Sequence, residues 1–416
     1  MRVITDFHIH SKWSRACSKQ LTLPNIAKAC ESKGIQLVGT SDAFHPAWRD
    51  DIGTLLQETE HGAFELKDGS SPTKFLLTVE ISSIYKRADK TRRVHNVILF
   101  SNLKALDRMT SALNERGCNL KSDGRPIVGI DSEELMKMTL DADPNNLLIP
   151  AHAWTPWFAI FGSKSGFDSI EECFGEMSKY VYAIETGLSS DPKMNWRLSA
   201  LDNIFLVSNS DAHSLDKLGR EANVFEMEQP SYKELRRIIV EHDTKKFIET
   251  LEFFPEEGKY FVDGHRDCKF WCEPEKTKKL KGLCPNCGKL LTIGVLHRVS
   301  DLADRKPNPD KPKSATSFRS IIPLAEVVSS VFGVGTKSKR VEHEIENLVS
   351  NNRTEFGILL DLSEKELLQI TSSEIVAAII AMRKGDVELK PGYDGEFGVI
   401  KPRINVEKME QNNLFS

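Results

Sequence analysis

Histidine and carboxylate side chains near the amino end of the chain have a spacing suited to metal binding. A single residue separates His8 from His10, and Asp6 stands two positions before His8. Alternate side chains of an extended strand share a face, so these three groups point the same way. Asp211 and His213 repeat the spacing near the middle of the chain. Neutral imidazoles with carboxylates suit Zn²⁺, Mn²⁺ or Fe²⁺, so the sequence predicts a divalent metal centre.

Further metal-ligand side chains stand where strands are predicted to end. The β-rich runs before residue 215 are Val3–Ile9, Gln36–Thr40, Phe75–Glu80, Asn96–Phe100, Leu147–Ala151, Val181–Glu185 and Ile204–Ser208. Asp42, Glu80, His152 and Glu185 close or follow such runs, whereas His95 precedes its run. Segments with helical spacing, such as Leu23–Lys33 and Ser132–Leu140, separate most of the runs. This alternation predicts an α/β fold with a parallel sheet closed into a barrel, whose chemistry lies at the carboxyl ends of the strands.

A cysteine-rich and basic segment follows the predicted barrel. Cys268, Cys272, Cys284 and Cys287 have zinc-ribbon or knuckle spacing within residues 259–304, and four thiolates predict a closed, structural zinc site. Residues 259–319 carry 14 Lys and Arg against 7 Asp and Glu. Contacts to a DNA backbone are predicted for Lys276, Lys278 and Lys279. A solvated lysine-rich surface would show the same charge.

The remaining chain is predicted to be helical after a linker. Residues 305–316 contain three prolines and predict the linker. Residues 317–402 predict a helical DNA-binding domain with helices at Phe318–Phe332, Lys339–Ser350, Glu364–Ile370 and Glu374–Lys384. Lys337, Lys339 and Arg340 follow a Gly-rich turn at a helix start, which can bind a backbone phosphate through free N–H groups. An ordinary helix–helix turn also explains those glycines.

Bulk properties narrow the class of protein. The chain has 416 residues, of which 40% are hydrophobic and 28% charged, so we expect a folded protein of two or three domains. The longest apolar runs are shorter than the ~20 residues of a membrane span. No basic region followed by an apolar stretch opens the sequence, so a secretion signal is not expected. We therefore expect a cytoplasmic protein without a membrane partner.

The candidate ligands resemble those of the PHP phosphoesterases in order and spacing. The matching motifs are Asp6-Phe-His8-Ile-His10, Ser41-Asp42, Glu80, His95, Ala151-His152 and Ser210-Asp211-Ala-His213. The resemblance covers residues 1 to about 225 and implies a distorted (β/α)7 barrel, which we place in residues 1–250. It implies two or three divalent metals (Zn, Mn or Mg). The implied ligands are His8, His10, Glu80 and Asp211 for one metal, Glu80, His95 and His152 for a second, and His213 with Asp42 or His45 for a third.

The resemblance also implies which residues act in catalysis. Two metals ~3.5–4 Å apart activate a water and stabilise the leaving oxygen, so Glu80, Asp211 and His213 become candidate catalytic residues. Arg220 follows the last ligand pair and could clamp a phosphate, or could form a surface salt bridge. The aromatic segment from Trp154 to Phe161 could line a base pocket or form a packed lid.

The order of the modules is similar to that of the endonuclease Q family. A PHP barrel, a four-cysteine module and a helical domain occur together, and the stretches 185–200 and 391–395 also look like that family. The resemblance implies a DNA-repair endonuclease acting on double- or single-stranded DNA. It would cut 5′ of uracil, hypoxanthine, xanthine or an abasic site and leave 3′-hydroxyl and 5′-phosphate ends. Two alternatives are a histidinol-phosphatase-like enzyme and a non-enzymatic, zinc-dependent DNA-binding protein.

The last residues, 403–416, predict a flexible tail. Gln411, Leu414 and Phe415 within it resemble the short motif by which bacterial repair proteins bind the β sliding clamp. A pattern with three fixed positions also arises by chance.

Overall fold

The computed structural model describes residues 1–404, which form a mixed α/β fold. Its strands are β1 (Arg2–Asp6), β2 (Leu37–Gly39), β3 (Leu56–Glu58), β4 (Phe64–Leu66), β5 (Lys74–Arg87), β6 (Lys90–Phe100), β7 (Ile127–Val128), β8 (Leu147–Pro150), β9 (Ala183–Glu185), β10 (Phe205–Val207), β11 (Ala222–Glu226), β12 (Phe247–Glu252), β13 (Asp263–His265), β14 (Phe270–Cys272), β15 (Ser317–Ser320), β16 (Val387–Lys390) and β17 (Val399–Pro402). Its α-helices are α1 (Leu23–Lys33), α2 (Pro46–Leu55), α3 (Leu103–Glu115), α4 (Ser132–Ala142), α5 (Ile170–Phe174), α6 (Pro192–Asn195), α7 (Tyr232–Val240), α8 (Pro274–Lys279), α9 (Val295–Leu302), α10 (Leu324–Phe332), α11 (Lys339–Leu348), α12 (Glu364–Leu367) and α13 (Ser373–Arg383). Within residues 1–404, no helix combines the length and the apolar character that a bilayer crossing requires.

The strands predicted before residue 215 are present and share one buried core. β1 pairs in parallel with β2, β2 with β5, and β9 with β10. A parallel bridge between Ile9 and Ala212 joins the chain beyond β1 to the chain beyond β10. Buried apolar side chains from β1, β2, β5, β6, β8, β9 and β10 belong to the same cluster. The carboxyl ends of the parallel strands therefore meet on one side of this core.

One part of the sheet differs from the predicted parallel arrangement. β5 and β6 form a long antiparallel hairpin, and β6 also pairs antiparallel with β8. Ala88 and Asp89 have φ values of 51° and 56°, as a two-residue type I′ turn requires. The predicted run Asn96–Phe100 is thus the second half of β6, and His95 lies inside this strand rather than before it.

The region after the linker is not wholly helical as predicted. Residues Ser317–Ser320 form β15, which pairs in parallel with β12, where the sequence predicted the start of a helix. Pro323 accounts for the difference, because proline disfavours the helical conformation in the residue before it, and α10 begins only at Leu324. β16 and β17 form a hairpin beyond α13. The linker holds no regular element, and Arg305 fastens it to Asp202 by an ion pair.

Two buried carboxyl groups lie where β9, β10 and β12 come together. Glu252 is fully buried and accepts hydrogen bonds from the hydroxyls of Thr186 at 2.9 Å and Ser208 at 3.2 Å. Glu221, also fully buried, accepts from the Phe253 amide. Burial raises the pKa of Glu252 to about 8. The pKa of Glu221 is also raised, first by burial and second by the negative charge of the neighbouring Glu252. Both groups therefore favour the protonated form in the folded protein.

Substitution of Glu252 by Gln should change how stability depends on pH. A carboxyl whose pKa is raised in the folded state adds stability that is present below its unfolded pKa, near 4.5, and is lost as pH rises through about 8. Glu252→Gln removes this titration, so its Tm should fall less between pH 5 and pH 8 than that of the unaltered protein. Calorimetry at both pH values measures this, with the exposed Glu226→Gln as control. Equal slopes in all three proteins would show that Glu252 is ionised throughout.

Candidate metal centre and adjoining cavity

The ligands predicted from the sequence come together at the carboxyl ends of the strands. His8 and His10 follow β1, and Glu80 lies within β5. Several site residues have left-handed backbone, with φ of 50° at Asp42, 30° at His152 and 46° at Asp211. Non-glycine residues hold this conformation at a cost of ~1–3 kcal/mol, and such strain concentrates at functional sites.

A first group of four ligands faces one point. Ligand atoms of His8, His10, Glu80 and Asp211 all lie within 4.8 Å of one another. His10 Nε2 is 3.0 Å from Asp211 Oδ1 and 3.2 Å from Glu80 Oε2. His8 Nε2 is 3.5 Å from the same Glu80 oxygen. Two imidazoles and two carboxylates at these distances fit a divalent cation.

A second group shares Glu80 with the first. Ligand atoms of Glu80, His95 and His152 also lie within 4.8 Å of one another. His95 Nδ1 contacts Glu80 Oε1, and His152 Nε2 lies 3.3 Å from the same oxygen. Oε2 of Glu80 thus faces the first group and Oε1 the second, which is the arrangement of a carboxylate bridging two metals.

Two further carboxylates orient the histidines of the first group. Glu185 accepts from His8 Nδ1 at 2.9 Å, and Asp42 accepts from His10 Nδ1 at 3.3 Å. A ring nitrogen fixed in this way directs the other nitrogen at a metal. His8 Nε2 is buried and has no hydrogen-bond partner among residues 1–404. A bound metal would satisfy this atom, so the residues present fit the cation that the sequence predicted.

Charges in the site favour a cation. Burial lowers the pKa of His8, but Glu185 and Glu80 outweigh it and raise that pKa above its usual value. Burial raises the pKa of Glu80, whereas His95 and Arg125 lower it to well below its usual value. Burial lowers the pKa of His95 to about 4, which keeps this imidazole neutral, as a metal ligand must be.

The residues implied for a third metal do not form a group of ligand atoms within residues 1–404. Asp42 accepts hydrogen bonds from the Ser11 amide at 2.7 Å and from His10 Nδ1 at 3.3 Å. His45 stacks on Trp13 with ring centroids 4.6 Å apart. His213 packs against His10, and its Nδ1 donates to the Asp211 carbonyl. Among residues 1–404, neither His45 nor His213 joins a group of three ligand atoms.

Two arginines lie beside the ligands, and the sequence pattern identified one of them. Arg220 Nε donates to the Ser210 carbonyl at 2.8 Å, and its side chain lines the cavity described below instead of forming the alternative salt bridge. Arg125 Nη1 donates to Glu80 Oε2 at 3.2 Å. The loop that carries Arg125 can approach the ligands closely because Gly124 has no side chain. A Cβ at this position would lie 2.5 Å from the Asp42 carboxylate. No spacing rule in the sequence indicated Arg125.

A cavity of about 660 Å³ opens beside the ligands. This volume is within the ~300–1,000 Å³ of typical small-molecule sites. Its walls are formed by His152, Thr155, Glu185, Gly187, Leu188, Ser189, Asn209, Asp211, Lys217, Arg220, Phe253, Glu257, Gly258, Lys259, Tyr260 and Phe397. The wall thus joins metal-ligand residues to apolar side chains and three cations.

The aromatic segment after His152 divides between the two roles considered for it. Trp154 is buried against Phe161 and donates to Asn195, so it belongs to the packed core. Phe158 lies against His95 with ring centroids 4.6 Å apart. Trp157 is partly exposed and contacts Tyr260 of the cavity wall edge-on at 5.5 Å. Of these residues, Phe158 therefore covers a ligand of the second group.

Comparisons with known proteins agree along the whole chain. A family model described as the MJ0043 C-terminal domain matches residues 323–386. The uncharacterised protein YqxK of Bacillus subtilis is 30% identical over 420 residues, which cover 96% of this chain and 100% of that protein. The lesion-specific endonuclease PfuEndoQ of Pyrococcus furiosus matches with a TM-score of 0.87 and 31% identity, over 100% of this chain and 99% of its own. The chain belongs to the endonuclease Q family.

A second endonuclease Q structure supports the assignment. It holds a 27-mer duplex substrate with an abasic lesion at the active site, and it matches with a TM-score of 0.86 and 32% identity over 98% of both chains. The resemblance seen in the sequence is confirmed. The protein is an enzyme, a metal-dependent endonuclease of DNA repair. The alternative of a non-enzymatic, zinc-dependent DNA-binding protein is wrong.

In this endonuclease Q family member, the cysteine-rich segment groups different ligands from those predicted. His265, Cys268, Cys284 and Cys287 offer ligand atoms within 4.8 Å of one another. Cys272 instead lies at the far end of the β13–β14 hairpin, with its Sγ 3.2 Å from the Thr277 hydroxyl. His265 and Cys268 are separated by two residues, as are Cys284 and Cys287. This repeated spacing is the signal in the sequence that points to His265.

The basic residues predicted to contact DNA lie on two separate helices. Lys276, Lys278 and Lys279 are exposed on α8, where Lys278 forms an ion pair with Asp301. Lys339 and Arg340 open α11, and Arg340 packs on the Phe332 ring. Lys337 precedes that helix. The predicted clamp-binding residues Gln411, Leu414 and Phe415 lie outside the described residues.

The two candidate zinc-ligand sets predict opposite results for two substitutions. If His265 completes the set, His265→Ala should lower bound zinc by one ion per chain, because three thiolates hold zinc less tightly than four ligands. Cys272→Ser should keep the ion. Elemental analysis after dialysis against a mild chelator measures this. Retention in His265→Ala with loss in Cys272→Ser would restore the four-cysteine site.

Proposed function

We propose that the protein hydrolyses the phosphodiester 5′ of a deaminated base or an abasic site, leaving 3′-hydroxyl and 5′-phosphate ends. Uracil, hypoxanthine and xanthine are the proposed bases, in double- or single-stranded DNA. The observation that carries the proposal is the opening of a nucleotide-sized cavity directly beside two ligand groups that share Glu80. The full-length match to endonuclease Q adds support, since a histidinol-phosphatase-like enzyme would leave the regions after the barrel without a role.

The side chains would divide the reaction between them. Divalent cations (Zn, Mn or Mg) held by the two groups would supply an activated water and would stabilise the leaving oxygen. His8, His10 and Asp211 would hold one ion and His95 and His152 the other, with Glu80 common to both groups. Arg125 contacts Glu80 and Arg220 lines the cavity beside Asp211, so their guanidinium groups are suited to orient the scissile phosphate.

The cavity would receive the lesion nucleotide. A base inside a duplex cannot reach a buried metal centre, so the nucleotide must leave the stack. Phe253, Leu188 and Tyr260 provide apolar wall for the base or sugar, while Asn209 and Thr155 provide hydrogen-bonding groups. His213 lies beside His10 with Nδ1 held by the Asp211 carbonyl, which leaves Nε2 free for a proton transfer at the site.

We also propose how the chain is divided. Residues 1–250 form the distorted PHP-type barrel, because seven strands share one core and close through the Ile9–Ala212 bridge. Residues 259–304 form a small module around a structural zinc, residues 305–316 link it onward, and residues 317–402 contact DNA. Lys276, Lys278 and Lys279 of the zinc module and Lys337, Lys339 and Arg340 of the last region would contact backbone phosphates.

Asp211→Asn should abolish nicking while leaving the fold intact. The substitution removes an anionic ligand at a partly exposed position, and metal activation contributes several kcal/mol, so we expect a rate loss of at least about 100-fold. The assay compares end-labelled duplexes with one uracil, one abasic site or no lesion. Polymerase extension of the nicked strand tests for a 3′-hydroxyl end.

A matched control and a competing substrate make the result decisive. Asp216→Asn lies in the same loop, is exposed and is outside the ligand groups, so it should keep its activity. A phosphomonoester is tested in parallel. Hydrolysis of the monoester without nicking of damaged DNA would replace the proposal with a phosphatase, and more than a tenth of the wild-type rate in Asp211→Asn would overturn the ligand assignment.

We propose further that the tail binds a bacterial-type β sliding clamp through Gln411, Leu414 and Phe415. The support is the sequence pattern, in which a Gln amide would fix the backbone and two apolar side chains would fill a pocket. Joint substitution of Leu414 and Phe415 by Ala should remove clamp binding in calorimetry, while nicking of free DNA stays unchanged. Asn413→Ala is the control. Clamp affinity that survives the double substitution would remove this partner.

A further inference from the structure

A large aromatic side chain stands in solvent at the mouth of the cavity. Phe397 lies in the loop between β16 and β17 and is 66% exposed, although it also lines the cavity. Phe253, on the same cavity wall, is 7% exposed. Phe397 is thus a rim residue rather than part of the inner wall. An apolar ring held in water is unfavourable unless a partner covers it, since burial of such a side chain is favourable.

The loop holds this ring in place. The Gly392 amide donates to the Glu256 carbonyl at 2.7 Å, and the Gly398 amide donates to the Glu257 carbonyl at 3.0 Å. A Cβ at Gly392 or Gly398 would collide with backbone carbonyls of that segment. The two backbones are therefore in direct contact before and after Phe397, so the ring projects from an anchored stretch of backbone.

A cation stands next to the ring. Lys259 Nζ lies 4.4 Å from the Phe397 ring centroid and also lines the cavity. Tyr260 also lines the cavity, and Trp157 contacts it from outside the lining, with ring centroids 5.5 Å apart. An exposed aromatic ring beside an ammonium group matches a base step beside its phosphate, because the ring stacks on bases while the cation neutralises the backbone.

We propose that Phe397 is a wedge residue that enters the base stack at the position vacated by the lesion nucleotide, with Lys259 contacting the adjacent phosphate. This inference rests on the proposed endonuclease function. Extrusion of a nucleotide loses stacking worth a few kcal/mol, and an inserted apolar side chain replaces part of it. The rim is where the strand passes into the cavity, so a fixed ring there lies beside the gap.

The test compares a fully paired DNA substrate with one in which the lesion nucleotide is already unstacked and needs less energy to leave the helix. The first is a duplex with one abasic site, and the second carries the same site inside a bubble of unpaired nucleotides. Phe397→Ala should lower kcat/KM at least 10-fold on the duplex and less than 3-fold on the bubble. Phe397→Leu keeps apolar bulk and should retain most of the duplex activity. Val399→Ala, exposed on the same hairpin, is the control.

A binding measurement separates this inference from the endonuclease proposal. 2-Aminopurine next to the lesion brightens when stacking is lost, and Asp211→Asn allows binding without cleavage. Phe397→Ala in that background should alter the fluorescence of the bound duplex but not of the bound bubble. Equal losses on both substrates, or none on the duplex, would overturn the wedge. A different result is that the unaltered enzyme fails to nick DNA while the Phe397-dependent fluorescence change is still observed. That result would overturn the proposed endonuclease reaction and keep the wedge role of Phe397.

Discussion

The carboxylate of Glu80 is fully buried and faces four imidazoles and one guanidinium, and the site depends on this interaction. Its partners are His8, His10, His95, His152 and Arg125. A buried ion is tolerated only when charge and hydrogen bonds compensate for lost solvation. β5 therefore has to deliver Glu80 to a point where ligands from several other strand ends converge. Two cations on either side of Glu80 would complete the compensation that the protein groups begin.

The same requirement couples the site to the closure of the sheet. Glu185, which fixes His8, accepts a hydrogen bond from the Asn209 side chain at 2.9 Å. The side-chain Oδ1 of Asn209 in turn accepts from the Phe7 amide at 3.0 Å, so the chain after β10 is joined to the chain after β1. Asp6 acts in the same place, since it accepts from the amides of Ser210 and Gly219. Ligand orientation and strand closure therefore use one set of polar contacts.

The sequence predicted what depends on local pattern and missed what depends on contacts between distant segments. His8, His10 and Asp211 were found because strand alternation and strand ends are visible in the sequence. The hairpin of β5 and β6 was missed because its turn uses Ala88 and Asp89 instead of the usual Asn-Gly pair. Arg125 reaches Glu80 from a loop, and no periodicity marks a loop residue. Asp42 stays a predicted metal ligand that also contacts His10, because residue type alone does not separate a ligand from the group that orients one.

The cavity needs segments that are far apart in the chain. His152, Glu185 and Asp211 lie at or beyond the ends of β8, β9 and β10, Lys259 and Tyr260 precede β13, and Phe397 lies between β16 and β17. The Gly395 amide donates to the Lys259 carbonyl, so the last hairpin contacts the segment that carries Lys259 and Tyr260. The later segments thus add cations and an aromatic ring to a cavity whose other wall carries metal-ligand residues. Under the proposed function, selection of a nucleotide within a polymer would arise in these later segments, while hydrolysis would take place at the ligand groups beyond β1, β8 and β10 and within β5 and β6.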